Sequence, residues 1–300
     1  MLHCLRGDEE RQDMKKQIVE VDKARGMFRV TTTDERFYTL ASMDEITGLP
    51  VYRYIPSVTW IAGCYPKGIE FYKWLANNGW DESQAIKKAA GEKGSKVHNA
   101  IELWLKGELV IGMDTKVMNQ EKGEAEELSV EEYEAIMTFI DWYKEVKPEI
   151  LRTECTVVNE ACGYAGTVDI VAKIGGDVWI IDLKTSQYVW SEYELQLSAY
   201  KAALESESGK HPDYRLAILQ IGYKKNKAGY KWNIIADKFG LFLSAKDIWA
   251  NEHNEEKPKQ KDYPLLLPSK SQLDTEPKAD IQIKKPKTNA IKRQEQVRES

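Results

Sequence analysis

The sequence predicts an α/β fold, with a central mixed β-sheet flanked by helices. Two observations predict it. The hydrophobic period changes from helical to alternating near residue 150, and a helix-like stretch then separates two groups of strand-like runs. Strand groups on either side of one helix are the pattern of a crossover within a sheet. A length of 300 residues suits one or two domains.

The elements follow in order. Residues 1–53 read as a lead-in, with mixed charge and at most weak helix to about residue 26. The β-rich runs MFRVTTT and RFYTLAS come next, before the turn-like TGLP. Pro56 has no amide hydrogen, so VYRYIPSVTWIAG is not expected to be a central strand; Ser57 or Thr59 begins a turn or caps a helix. Residues 66–106 read as helical. FYKWLANNG stops at Asn77-Asn78-Gly79, and a second helix starts near Asp81, with a break expected between Gly91 and Gly94. Residues 112–127 are polar and acidic and read as an exposed loop. Ser129 with Glu132 forms a capping-box pattern that opens VEEYEAIMTFIDWYKEV, which Pro148 stops. These helices make a helical front half and a channel wall.

Strands are expected at 150–159, 166–174 and 177–184, a helix at 190–207, strands at 214–222 and 230–236, and a helix at 239–252. Residues 54–252 are therefore expected to form one domain with that helical front half. Residues 253–300, rich in Lys, Pro, Gln and Glu, read as a disordered tail. From Lys278 to Arg293 the tail carries six basic residues against Asp280, which suits a solvated tail, a phosphate contact or a protein partner.

Composition excludes several classes. Hydrophobic residues make up 42% and charged residues 30%, the balance of a globular chain. No apolar run approaches the roughly 18 residues of a membrane span. The segment MLHCLRGDEERQDMKK has no apolar core, so no secretory signal is expected, and the cytoplasm is the expected location. Cys4, Cys64, Cys155 and Cys162 are scattered and read as reduced thiols with no zinc-ligand spacing. No Walker-type loop suggests ATP. A net charge of −5 means that any nucleic-acid contact needs a local basic groove.

The chemistry concentrates in residues 166–184. Gly175-Gly176 between two alternating runs predicts a two-residue hairpin turn. Ile174 then pairs with Asp177, which sets Asp169 directly opposite Asp182, their Cβ atoms roughly 5 Å apart. Lys184 shares that face, while Trp179, Ile181 and Leu183 point to the other. Opposed carboxylates repel unless something positive lies between them, and hard oxygen ligands at this spacing suit Mg²⁺ or Mn²⁺. A solvated pair of aspartates is the alternative, and a three-residue loop would break the register.

These residues resemble a family. GTVDIVAKIGGDVWIIDLKTS followed by YELQLSAY resembles the core of the PD-(D/E)xK nucleases, in particular the RecB-like exonuclease branch. GEKGSKVHNAIELWLKGE is similar to that branch's helix with a metal-binding histidine, here His98. YIPSVTWIAG is similar to an element of phage-encoded and mitochondrial genome-maintenance exonucleases. The resemblance spans about residues 54–236 and implies a restriction-endonuclease-like core. It implies a divalent ion held by Asp169, Asp182, the backbone carbonyl of Leu183 and His98, with Glu154 as a further candidate. Lys184 would orient the attacking water or stabilise the pentavalent phosphate. Gln196 and Tyr200 would hold the lysine region and a phosphate. Glu102, one turn after His98, either faces the same site or solvates its helix, and His98 and Tyr200 have a plainer alternative as packing residues.

Weaker candidates for DNA contact are Thr185 and Ser186, Ser57 and Thr59, and Lys87, Lys88, Lys93 and Lys96. Trp60, Tyr65 and Trp104 are candidates for stacking on bases, although Trp104 suits a core. Relatives with an iron–sulfur cluster carry three cysteines after the catalytic helix; this chain has none after Cys162, so no cluster is expected. The resemblance implies a metal-dependent DNA exonuclease acting on single strands or duplex ends in replication, recombination or processing, in a bacterial host's cytoplasm if phage-encoded. A flap or branch endonuclease, and a non-catalytic nucleic-acid-binding protein on the same core, are the alternatives.

Overall fold

A computed structural model describes residues 17–32, 35–43, 50–119, 123–207, 211–222, 229–253 and 258. Its centre is a five-stranded sheet in the order β11-β10-β9-β8-β7, built from β7 (Glu149–Asn159), β8 (Tyr164–Ile174), β9 (Asp177–Lys184), β10 (Tyr214–Ile221) and β11 (Tyr230–Ile235). β9 and β10 run parallel and the other neighbours antiparallel, so the sheet is mixed. The parallel pair needs a long connection, and α5 (Ser191–Glu207) supplies it.

Alternation along the strands divides two cores. Trp179, Ile181 and Leu183 of β9, with Ala217, Leu219 and Ile221 of β10, meet Val97 and Ile101 of α3 (Trp80–Leu105) and Phe139 and Trp142 of α4 (Val130–Val146). Ile180, Leu216 and Ile218 face the other way. They meet α5, α6 (Phe239–Glu252) and the short α1 (Val58–Gly63) through Leu195, Phe242 and Ile61. α4 carries the expected capping box: Glu132 N donates to Ser129 Oγ at 3.3 Å, and Ser129 N donates to Glu132 Oε2 at 2.8 Å.

Several elements differ from the sequence reading. The lead-in contains a strand, β1 (Gln17–Asp22), which joins β2 (Met27–Thr31), β3 (Arg36–Met43) and β4 (Pro50–Pro56) in an antiparallel four-stranded sheet. Pro56 ends β4, an edge strand, where a missing amide costs no ladder bond. This sheet packs through Met27, Tyr38 and Ile55 on Val158 and Ala165 of the central hairpin. The acidic stretch 112–127 is a hairpin of β5 (Lys116–Asn119) and β6 (Glu124–Glu127). α3 runs unbroken through Gly91 and Gly94 for 26 residues, since burial of Val97, Ala100 and Ile101 in the core overrides the glycine signal. α2 (Ile69–Asn78) precedes it, and Gly79 at φ 78° turns one helix into the next. The tail beyond 258 lies outside the described residues, as does Cys4. No helix among the described residues is long and apolar enough to cross a membrane.

Candidate metal centre

The Gly175-Gly176 turn has positive φ at both residues, 59° and 98°, which the hairpin's right-handed twist favours and side-chain-bearing residues resist. Ile174 pairs with Asp177, and the ladder continues to Ile170 opposite Ile181. The register therefore sets Asp169 opposite Asp182. The next-strand register, Thr153 opposite Ile170 and Cys155 opposite Val168, sets Glu154 opposite Asp169. Three carboxylates thus lie in one row across β7, β8 and β9.

The strands are distorted at this row. Glu154 has φ 45°, the left-handed region that a Cβ disfavours. Val168 and Ile170, which strict alternation would place on one face, join opposite cores. Asp169 Oδ2 accepts the amide of Leu183 at 2.7 Å, in place of a ladder bond. Strain of this kind is held by surrounding packing and is common at functional sites.

The three acids differ in partners. Ligand atoms of His98, Glu154 and Asp169 lie within 4.8 Å of one another, and Asp169 Oδ1 is 3.6 Å from His98 Nδ1. Asp182 stands apart from this group. Its side chain is 1% exposed, with Oδ2 2.6 Å from Lys184 Nζ and Oδ1 accepting from Gln196 Nε2 at 3.0 Å. Gln196 also donates to Tyr200 Oη at 2.9 Å. Residues 193, 196 and 200 share one helical face. The Tyr193 ring lies under Lys184 Nζ, 4.6 Å from centroid to nitrogen.

Electrostatics separates the acids further. Burial pushes Asp169 up, but the His98 and Lys184 charges and the Leu183 amide outweigh it and hold the carboxyl below its usual range. Burial dominates at Asp182 and, with Asp169, raises it to about 6 against the pull of Lys184. Burial, Asp169 and Glu102 raise Glu154 to about 8, opposed by His98 and Arg29. Burial lowers His98, yet Asp169 and Glu154 more than compensate and raise it to about 9. Burial likewise lowers Lys184, and Asp182 and Asp169 overcome it, so its ammonium stays charged.

Carboxylate oxygens and one imidazole form a donor set that fits Mg²⁺ or Mn²⁺, and Glu154 is raised by burial first and by the neighbouring Asp169 second. The chain's residues from 72 to 275 match the profile of the PD-(D/E)XK nuclease superfamily. The chain belongs to the PD-(D/E)XK nuclease superfamily. Nucleases of this superfamily use divalent metal ions, which the His98–Glu154–Asp169 group could hold. No curated protein matches the chain. Among solved structures it is similar to a protein from Eubacterium rectale described as a candidate exonuclease. The TM-score is 0.31 and the identity 14%, over 53% of this chain and 62% of that one.

Other candidates fall differently. Thr185 sits where α3 passes: a Cβ on Gly94 would lie 3.6 Å from its Oγ1. Ser186 Oγ donates to the Tyr188 carbonyl. Ser57 is buried and caps α1, accepting from Trp60 N at 3.2 Å, while Thr59 is exposed. Lys93 pairs with Glu131 at 2.7 Å. Lys96 is not brought to a phosphate-accessible surface. It is 7% exposed and pairs with the buried Glu132 at 2.8 Å. Tyr200 is also buried, so its hydroxyl serves Gln196. Trp60 packs edge-on against Phe37, Trp249 and His253, and Trp104 against Phe139 and Tyr143, which leaves both in packing roles. Sequence reasoning missed Tyr193, whose signal was its spacing three residues before Gln196.

Proposed function

We propose that the protein is a divalent-metal-dependent DNA exonuclease of the RecB-like branch, similar to phage-encoded and mitochondrial genome-maintenance enzymes. It would act on single strands or duplex ends during replication, recombination or repair. The observation that carries this reading is the row Glu154–Asp169–Asp182, with His98 beside one end and Lys184 at the other. His98, Glu154 and Asp169 would hold the ion, Mg²⁺ or Mn²⁺, with Asp182 and the Leu183 carbonyl as the further ligands the family pattern implies. When bound, the ion supplies an acidified water and neutralises charge on the phosphate.

The remaining steps belong to the chain. Lys184 keeps its proton and donates to the scissile phosphate, stabilising the charge that grows as the bond breaks. Asp182 and Tyr193 hold that ammonium in place. Gln196 fixes the Asp182 carboxylate and is itself fixed by Tyr200. Thr185 follows directly in the chain and offers its hydroxyl to a neighbouring phosphate, and Ser186 would do so by exchanging its bond to the Tyr188 carbonyl.

End-labelled single-stranded, duplex and circular DNA, incubated with Mg²⁺, Mn²⁺ or EDTA beside Lys184→Ala, tests the reading. Metal-dependent loss of linear DNA, with circles spared and the variant silent, is expected. Cut circles would make the enzyme an endonuclease. Retained binding without cleavage would make the site a relic on a nucleic-acid-binding protein.

A further inference from the structure

β10 breaks its own pattern at one position. Leu216, Ala217, Ile218, Leu219 and Ile221 are apolar and buried, and between the last two sits Gln220, an amide only 1% exposed. A buried amide without partners destabilises a fold, so a strand keeps one only where its hydrogen bonds are made. A polar residue that interrupts an apolar strand is the kind of local exception that functional sites produce.

Gln220 is engaged at both ends of its amide. Nε2 donates to the Ser186 carbonyl at 3.0 Å, and Oε1 accepts from Asn233 Nδ2, also at 3.0 Å. Asn233 lies on the edge strand β11, and its Nδ2 reaches the Ile218 carbonyl as well, at 3.3 Å. The parallel register sets Gln220 beside Lys184, so the two side chains leave the same face of the sheet.

Ser186 carries the contacts on to the lysine. Its hydroxyl donates to the Tyr188 carbonyl at 2.9 Å, and its side chain is hydrogen-bonded to the Tyr193 hydroxyl. The Tyr193 ring in turn lies 4.6 Å from Lys184 Nζ. Lys184 is the last residue of β9, and residues 185–190 lie in no helix or strand. Side-chain bonds therefore supply, just after the lysine, the order that a ladder supplies before it.

We propose that Gln220 is a positioning residue for Lys184: it fixes the Ser186 turn and, through Tyr193, the place of the ammonium. Asp182 is one fixed point of that ammonium, and the ring tied to Ser186 is the second. A small displacement of a catalytic group costs rate even when its cause lies outside the reacting centre. The proposal rests on the nuclease reading for the task of the lysine and deepens it by naming what places the lysine.

Two substitutions cut the connection at different links. Gln220→Met keeps the length of the side chain and suits an apolar strand, but removes both amide bonds. Tyr193→Phe keeps the ring and removes its tie to Ser186. Steady-state cleavage of linear DNA with Mg²⁺ is expected to show kcat lowered about tenfold or more in each, with KM little changed. The double variant should fall no further than the worse single one, because both break one connection. Losses that multiply overturn the proposal. So does full kcat in Tyr193→Phe, a half-buried position that decides the matter even if Gln220→Met does not fold. Unchanged kcat with a lowered melting temperature in Gln220→Met also overturns it and leaves Gln220 a structural residue. Amide hydrogen exchange adds a readout that needs no cleavage. Residues 184–190 should exchange faster in Gln220→Met while β8 keeps its protection, and unchanged exchange there overturns the proposal. Faster exchange in a protein that cuts nothing upholds the hold on the turn and sinks the nuclease reading alone.

Discussion

Asp169 and Asp182 sit opposite each other on one hairpin, yet their surroundings treat them as different chemical species. Asp169 keeps 11% of its side chain exposed, is held below its usual range by His98 and Lys184, and is grouped with His98 and Glu154. Asp182 is sealed, raised to about 6 by burial, paired with the Lys184 ammonium and hydrogen-bonded by the neutral Gln196 amide. On the proposed reading Asp169 meets the cation directly, whereas Asp182 is already engaged by Lys184 inside the chain. Environments that push two like groups apart are the usual way one site assigns two roles.

The largest expected effect is on the Asp169 side. Asp169→Asn removes the proposed ion ligand and the negative partner of His98, while an Asn oxygen can still accept the Leu183 amide. Cleavage should fall roughly a thousandfold or more, on the order of what removing charge stabilisation costs an enzyme. Its melting temperature should fall only slightly, because the Asn oxygen still accepts the Leu183 amide and the lost His98 attraction is partly offset by relief of crowding with Glu154. Asp182→Asn should also lose activity, but here the fold suffers. A buried ammonium left without its carboxylate costs about 3–5 kcal/mol. Thermal and denaturant melts of both variants decide the comparison: equal destabilisation would mean that the two acids are equivalent after all.

Next in size is a change that reaches the Asp182 side from behind. A Cβ on Gly166 would lie 2.4 Å from Tyr200 Cε1 and 3.2 Å from Val58 Cγ2. Tyr200 is buried and cannot swing clear, so Gly166→Ala should cost about 1–3 kcal/mol by overpacking. It should also lower the cleavage rate, since a displaced Tyr200 releases Gln196 and through it Asp182. Loss of stability with full activity would show that the Gln196–Tyr200 bond does not position the lysine pair.

The contrast between the two acids was only half legible in the sequence. Turn chemistry and period-2 patterning are local, so Gly175-Gly176 and its flanks reveal the register, and with it the opposition of Asp169 and Asp182. What neutralises each acid is not local. Gln196 comes from the crossover helix and His98 from the front half, and only the family pattern suggested both. The left-handed backbone of Glu154 has no sequence signal, because a non-glycine residue enters that region only when tertiary packing forces it. β1 was missed because it is an exposed edge strand, with Ile18 open to solvent, and so shows no buried stripe. Lys96 was misplaced for the opposite reason: its partner Glu132 lies 36 residues away, and a buried lysine looks like an exposed one until its partner is known. Trp60 was offered for base stacking although it packs on a core, because a tryptophan suits either and only burial decides; Trp104 lies against a core as its helix position suggested.

The smallest effect tests the Asp169 side through protons, in protein stripped of metal with EDTA. His98 is raised from 6.5 to about 9, so its contribution to stability is complete below pH 6.5 and is lost as pH rises through 9. Glu154 is an acid raised from 4.5 to about 8, so the folded chain binds its proton more tightly than the unfolded chain between those values. Stability therefore falls as pH climbs through that window as well. Both groups act in one direction, and the metal-free protein should melt at a lower temperature at pH 9 than at pH 6.5. Added Mg²⁺ or Mn²⁺ should reverse the trend, because a cation binds the deprotonated ligands and takes over the neutralising role of the lost protons. A ligand at 100 times its dissociation constant adds about 2.7 kcal/mol, so the rescue is measurable in a thermal scan. Asp169→Asn should abolish it. The same rescue persisting in that variant would place the ion elsewhere and dissolve the distinction between the two acids.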